Sequence, residues 1–321
     1  MGENLGEGMA AGALECILIE HLEATIQGKI YSEPRSEEEN AAMAANFQVT
    51  VEVAERLTKP FRYASSASLF ESFLTSREPF RQHFNKRAAS VFYRKVRCGL
   101  LHEAATKDQT LVRKESREEP NKLVEMLGSK NLILYRSPFL RGIEATIDWF
   151  DQELSSNPEQ VVALARKLDE ICQIPKVFYF GYGRNLKRQV LCERAGSWLW
   201  AQPATLDGYS VTFNKRGLDG SKANLNEAPH GKVWGVCYEL DETGFEQLKK
   251  HEGGYELQDV LIKFPSAEKA FIATTFVATA PVEASHPSDS YLKDIIEGAQ
   301  DWQLPADYIQ QIRAAAVAGK T

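Results

Sequence analysis

Apolar residues recur through the first half of the chain with the spacing of helices. Over residues 14–26, Leu14, Ile17, Leu18, Leu22 and Ile26 fall three or four apart and mark one face of an amphipathic helix. Such a stripe needs a partner to bury it, and helical spacing over residues 39–57, 67–74, 81–105 and 137–154 supplies one within a bundle. An acidic turn over residues 32–39 and a polar stretch over 106–121 interrupt the series, the second long enough to be a mobile loop. The polar break Ser155, Ser156, Asn157, Pro158 precedes a short helical pattern carrying Val161, Val162, Leu164, Ala165 and Leu168. Pro175 stops that pattern, because a proline lacks the N–H a helix needs and its ring clashes with the preceding turn.

After Pro175 the period becomes that of strands. Residues 177–182, 209–213, 233–240, 260–264 and 271–277 are short runs rich in Val, Ile, Phe, Tyr and Thr, separated by Gly, Pro and Asn. Two helical patterns, over 288–299 and 305–316, close the chain. The predicted fold class is α+β: an N-terminal all-α helical bundle over residues 1–154, a connecting helix over 155–176, and a small mixed α/β barrel over 177–321.

A length of 321 residues exceeds one core's usual size and so agrees with two domains, and 43% hydrophobic residues suffice to fill two cores. No run approaches the roughly 20 apolar residues that cross a bilayer. Glu3 and Glu7, with no basic segment ahead of a hydrophobic block, do not read as a secretory signal, so the expectation is a cytoplasmic protein without membrane contact. Cys16, Cys98, Cys172, Cys192 and Cys237 are odd in number and scattered, with no C-x-x-C pair, and read as small apolar residues; neither metal nor cofactor is expected. The net charge of -6 argues against a coat for nucleic acid, yet residues 77–117 hold 11 Lys or Arg against 4 Asp or Glu.

Two places carry candidate chemistry. The strand over 177–182 runs into Gly181, Tyr182, Gly183, Arg184, Asn185 and Leu186, where two glycines let main-chain N–H groups turn toward a carboxylate or a developing oxyanion. Farther on, Asp241 can cap a helix whose apolar positions are Phe245 and Leu248 and which Gly253 and Gly254 can end. Glu252 then falls at the negative end of that helix, an environment that suits a carboxyl group for accepting and returning a proton.

These segments resemble gamma-glutamylcyclotransferases and their butirosin-pathway and avirulence-induced relatives. Residues 180–186 read F-G-Y-G-R-N-L, similar to the family's Y-G-x-N-L opening; residues 213–217, 219–225 and 233–236, the Glu-Gly step at Glu252, and residues 287–291, 298–299 and 304–305 follow in the family's order. The resemblance implies a lyase or acyltransferase that cyclises a gamma-glutamyl amine or amide to 5-oxoproline and a free amine, with Glu252 as general acid/base and residues Gly181 to Leu186 as the opening loop. Tyr182, Tyr255 and Tyr291 would line the pocket. Arg184 stands where many members carry Ser, placing a large cation near the substrate carboxylates. A degenerate domain of this type could instead bind such ligands without turnover.

The first half resembles HEPN domains, helical bundles that often dimerise and include metal-independent ribonucleases. The segment over 91–105 carries Arg97 and His102 at R-x-x-x-x-H spacing, with Cys98 where active members place a polar residue. Five residues along a helix turn by about 140°, so the two side chains do not stack on one face, and cooperation across a homodimer is the easier geometry. The resemblance leaves two readings open: RNA as a partner cleaved through Arg97 and His102, or a helical dimerisation or recognition module.

Overall fold

The computed structural model describes residues 5–317, so the reading of Glu3 lies outside the described residues. In chain order the elements are α1 (Leu5–Ile26), β1 (Ile30–Tyr31), α2 (Glu37–Phe47), α3 (Val51–Arg56), β2 (Arg62–Tyr63), α4 (Ala67–Ser76), α5 (Lys86–Val91), α6 (Cys98–Glu103), β3 (Leu111–Arg113), β4 (Val124–Leu127), β5 (Asn131–Tyr135), α7 (Arg136–Leu154) and α8 (Pro158–Ile171). There follow β6 (Lys176–Gly181), α9 (Arg188–Ala195), β7 (Trp200–Lys215), β8 (Lys222–Asp241), α10 (Glu242–Lys250), β9 (Tyr255–Lys263), β10 (Phe271–Ala278), α11 (Asp289–Asp301) and α12 (Ala306–Val317). The chain divides into two compact units, Met1–Ser32 with Tyr63–Leu168, and Glu33–Arg62 with Asp169–Thr321. No helix among the described residues is long and apolar enough to cross a membrane.

In the first unit α1 forms as its spacing predicts but buries a different face. Leu14, Ile17 and Leu18 are exposed, while Cys16, Ile19 and Glu23 are buried. Two things select that face: Gly12 lets α1 lie against Leu100, and the fully buried Glu23 carboxylate binds the Arg77 guanidinium at 2.9 Å and the Ser72 hydroxyl at 2.7 Å. A buried carboxylate left without these donors would cost several kcal/mol, about the burial of two leucines, so pairing outweighs the apolar stripe. The core gathers Ile19, Phe70, Phe73, Phe80, Phe92 and Phe139.

The helix predicted over 81–105 is broken by a 3-10 turn at Phe80–Gln82 and a wide π-helical turn over Phe92–Arg97. Gly99 has no side chain to keep the returning chain away, and Lys107 N–H donates to the Lys95 carbonyl at 2.9 Å. The all-helical expectation is corrected by a three-stranded sheet in the order β3-β5-β4, with β3 parallel and β4 antiparallel to β5. Gly128, at φ 63°, makes the tight turn between β4 and β5, and Leu132, Ile133 and Leu134 carry the strand into the core.

Glu15 on α1 is 4% exposed, and its Oε2 has no hydrogen-bond partner. Burial pushes its carboxyl up to about 7, with Arg136 opposing the shift. The folded state therefore holds a proton that the unfolded chain releases at the ordinary carboxylate value. Stability from this group is full at low pH, declines as pH rises from about 4.5, and is lost by about pH 7, a change on the order of 3 kcal/mol. The Glu15→Gln protein is expected to melt higher than the parent at pH 8 and to lose this component of the pH dependence between pH 5 and 8, measured by thermal unfolding; equal slopes for the two proteins would refute the assignment.

The second unit is built around a closed barrel in the order β10-β6-β8-β7-β9. β6 runs antiparallel to β8 and parallel to β10, with Thr274 beside Tyr179. The runs read at 209–213 and 233–240 are parts of much longer strands, because β7 and β8 pair from Trp200 opposite Glu239 to Lys215 opposite Lys222, through register shifts after Asp207 and Thr212. Polar and proline positions such as Pro203 hide the outer ends of these strands from a search for apolar runs. The unit also takes in residues 33–62, whose α2 and α3 are capped by Ser36 and Thr50. α11 and α12 lie where the two closing helical patterns place them.

Candidate active site

At the end of β6 the chain leaves the barrel wall at Tyr182 and Gly183 and makes a 3-10 turn over Arg184–Leu186 before α9. Across from it, α10 begins with the Asp241 carboxylate accepting from Gly244 N–H at 2.6 Å and is followed by His251 and Glu252. Gly254, at φ 81°, reverses the chain into β9. Between these segments lies a cleft of about 150 Å³ whose lining includes Tyr179, Asn185, Arg194, Glu252, Tyr255 and Tyr291.

Glu252 is held by one of its oxygens. Its Oε1 accepts from Asn185 Nδ2 at 2.9 Å and from Arg194 Nη1 at 3.1 Å, and Arg194 Nη1 also donates to Asn185 Oδ1 at 2.9 Å. The second proton of Asn185 Nδ2 goes to the Tyr179 hydroxyl oxygen at 2.8 Å. The asparagine amide is thereby fully used: its oxygen meets the one cationic donor and its nitrogen meets two acceptors, which fixes its orientation. Glu252 Oε2 takes no hydrogen bond from the described residues. Its side chain is 11% exposed.

The tyrosines divide by what their protons do. Tyr182 donates to Phe276 O at 2.6 Å and Tyr255 donates to Ala223 O at 2.7 Å, so both protons are committed. Tyr291 instead accepts from Ala223 N–H at 3.1 Å. Burial holds the phenols of Tyr179, Tyr182 and Tyr255 well above their usual range and pushes Tyr291 up to about 12, so all four are protonated at neutral pH. Lys215 and Lys222 lie over the Tyr255 and Tyr291 rings at 5.1 and 4.4 Å. Lys222 also pairs with Asp219, whereas Lys215 has no carboxylate partner among the described residues.

Of the residues singled out from the sequence, Tyr182, Gly183, Arg184, Asn185, Glu252, Tyr255 and Tyr291 line one cleft. Gly181 and Leu186 stand behind it. Gly181 pairs with Val236 in the barrel wall, and the fully buried Leu186 accepts at its carbonyl from Trp302 Nε1 at 3.0 Å. Arg184 borders the cleft, but its Nε donates to Asp294 of α11 at 2.7 Å, and Lys187 reaches the other oxygen of Asp294 at 2.6 Å. The extra cation is thus neutralised by the protein itself. Tyr179 and Arg194 are not singled out from the sequence, and Lys215 and Lys222 lie in the segments 213–217 and 219–225, where they have no role of their own in the sequence reading. Arg194 follows Asn185 by nine residues, the separation of a turn and one short helix, and only the helix α9 turns it back onto Glu252.

Arg97 and His102 make no hydrogen bond or ion pair with each other. Arg97 is committed to Glu20 of α1 at 2.9 Å and lies over the Tyr93 ring at 5.5 Å, while His102 is exposed on α6.

Residues 232–312 match the family model described as the AIG2-like family. Gamma-glutamylcyclotransferase of Homo sapiens is 28% identical over 144 residues, covering 42% of this chain and 77% of that protein, and the Mus musculus gamma-glutamylcyclotransferase matches to the same extent. A solved structure of a gamma-glutamyl cyclotransferase aligns with TM-score 0.41 at 25% identity, covering 44% of this chain and 88% of that one. The C-terminal part of the chain is thus similar to the AIG2-like family and to gamma-glutamylcyclotransferases.

Proposed function

We propose that the cleft cyclises gamma-glutamyl amines or amides, releasing 5-oxoproline and the free amine. The observation that carries this reading is the Glu252 carboxylate, fixed through Oε1 by Asn185 and Arg194 and with Oε2 left for chemistry. The substrate's α-ammonium gives a proton to Oε2, and the freed amine attacks the gamma-carbonyl of the same molecule. A new C–N bond closes the five-membered lactam and the C–N bond to the leaving amine breaks. The proton held by Glu252 passes to the leaving nitrogen, the ring nitrogen gives its second proton to the vacated carboxylate, and that proton departs with the amine as its ammonium ion, so no water, oxidant or cofactor is consumed. Holding the glutamyl chain curled in a cavity of about 150 Å³ supplies the effective molarity of an intramolecular attack. Lys215 and Lys222 offer the α-carboxylate its counter-charge, and main-chain N–H groups of the Tyr182 to Arg184 loop are donors for the oxyanion.

The test is to incubate the purified chain with a panel of gamma-glutamyl amides and amino acids and to measure 5-oxoproline by mass spectrometry. Release that is lost in Glu252→Gln supports cyclotransfer. No release from any substrate, with ligand binding intact, selects the non-catalytic binding reading instead.

A further inference from the structure

We propose that Tyr179 supplies a hydroxyl hydrogen bond to the oxyanion formed during cyclotransfer, an assignment that rests on the reaction proposed above. Four tyrosines line the cleft, and they are not equivalent. The protons of Tyr182 and Tyr255 are spent on the main-chain carbonyls of Phe276 and Ala223. Tyr179 is placed in the opposite sense: its oxygen is the acceptor, held at 2.8 Å by Asn185 Nδ2, and its own proton has no acceptor among the described residues. The ring is 3% exposed, fixed in β6 and packed against Tyr238 and Phe276. A rigid phenol with a spare proton in a water-poor wall is the kind of donor that stabilises charge as it develops, because no reorganisation is needed when the charge appears.

Asn185 couples this donor to the base. One Nδ2 proton is aimed at Tyr179 and the other at Glu252 Oε1, so a single amide leaves the free proton of the donor and the free oxygen of the base facing the same cavity. Arg194 locks the amide by holding Oδ1. Both groups lie within hydrogen-bonding distance of one nitrogen atom. This spacing suits a substrate whose attacking amine and reacting carbonyl belong to the same short chain. Protonation is secure, since burial holds the phenol well above its usual range.

Tyr291 is the rival, because its proton is also uncommitted, but its oxygen is tied to Ala223 N–H and has no link to Asn185 or Glu252. The experiment compares Tyr179→Phe, Tyr291→Phe and, as a buried tyrosine outside the cleft lining, Tyr308→Phe in the full chain, with kcat and KM for 5-oxoproline release from one gamma-glutamyl amide and the Kd of 5-oxoproline as a check that each site is formed. Loss of a single side-chain oxyanion donor lowers kcat by about 10²-fold. The expected result is that fall in Tyr179→Phe with KM and Kd within about threefold of the parent, and kcat within about threefold in Tyr308→Phe. Parent-like kcat in Tyr179→Phe, equal losses in Tyr179→Phe and Tyr308→Phe, a loss confined to Tyr291→Phe, or loss of 5-oxoproline binding in Tyr179→Phe would each overturn the assignment while leaving cyclotransfer standing. Absence of 5-oxoproline from the parent removes the reaction itself and this donor with it.

Discussion

Replacing Glu252 by Gln is expected to lower kcat for 5-oxoproline release by about 10²–10⁴-fold, the range that one positioned acid/base group contributes. The substitution is nearly isosteric. Its amide oxygen can still accept from Asn185 and Arg194, so the triangle these three residues form persists in outline. What disappears is the ability to take a proton from the ammonium and return it to the leaving nitrogen. In the proposed reaction the lysines and the loop bind the substrate, so KM is expected to stay within a few fold. A variant that kept more than a tenth of the parent kcat would require another base and would remove Glu252 from the reaction.

The second large effect lies away from the cleft wall. Gly298 on α11 faces the end of the 3-10 turn, and a Cβ there would lie 2.4 Å from Lys187 N and 2.5 Å from Leu186 C. Both neighbours are main chain and cannot swing aside as a flexible side chain would. Gly298→Ala therefore has to push α11 and the turn apart, which also stretches the Arg184 and Lys187 ion pairs to Asp294. Overpacking of this kind costs about 3 kcal/mol, and for a unit of this size the melting temperature is expected to fall by roughly 6–10 °C. Because Asn185 rides on the displaced turn, kcat is expected to fall as well, although Gly298 touches no reacting atom. An unchanged melting curve would show that the turn can move freely, and the positioning of Asn185 would then need another cause.

The parts of this architecture that could be read from the chain were those written in local chemistry. Asp241, Phe245, Leu248 and the two glycines at 253 and 254 announced a capped helix with Glu252 beyond its end, and the structure builds that helix with the Asp241 cap in place. The strand leading into Gly181 and the two closing helices were legible for the same reason: their periods and breakers are short-range signals. What escaped depends on distant partners. The exposed face of α1 is decided by Arg77, which lies 54 residues beyond Glu23. The sheet β3-β5-β4 is too short and too polar at its edges to outweigh the helical periods around it. Arg194 and Tyr179 look like an ordinary helix charge and a core aromatic until barrel closure brings both to Asn185.

Ring closure also dictates when the site can exist during synthesis. Asn185 is joined to Glu252 across 67 positions, and the Tyr182 hydroxyl finds its acceptor on Phe276, 94 positions later. A nascent polypeptide displays the glycine turn early, yet the parallel seam between β6 and β10 forms only after Phe271–Ala278 has emerged. Such long-range pairing is slow, since the chain must pay the entropy of closing a large loop before contacts reward it. Ribosome-bound chains that stop before β10 would carry Tyr179, Asn185, Arg194 and Glu252 and still lack the enclosure that holds them together.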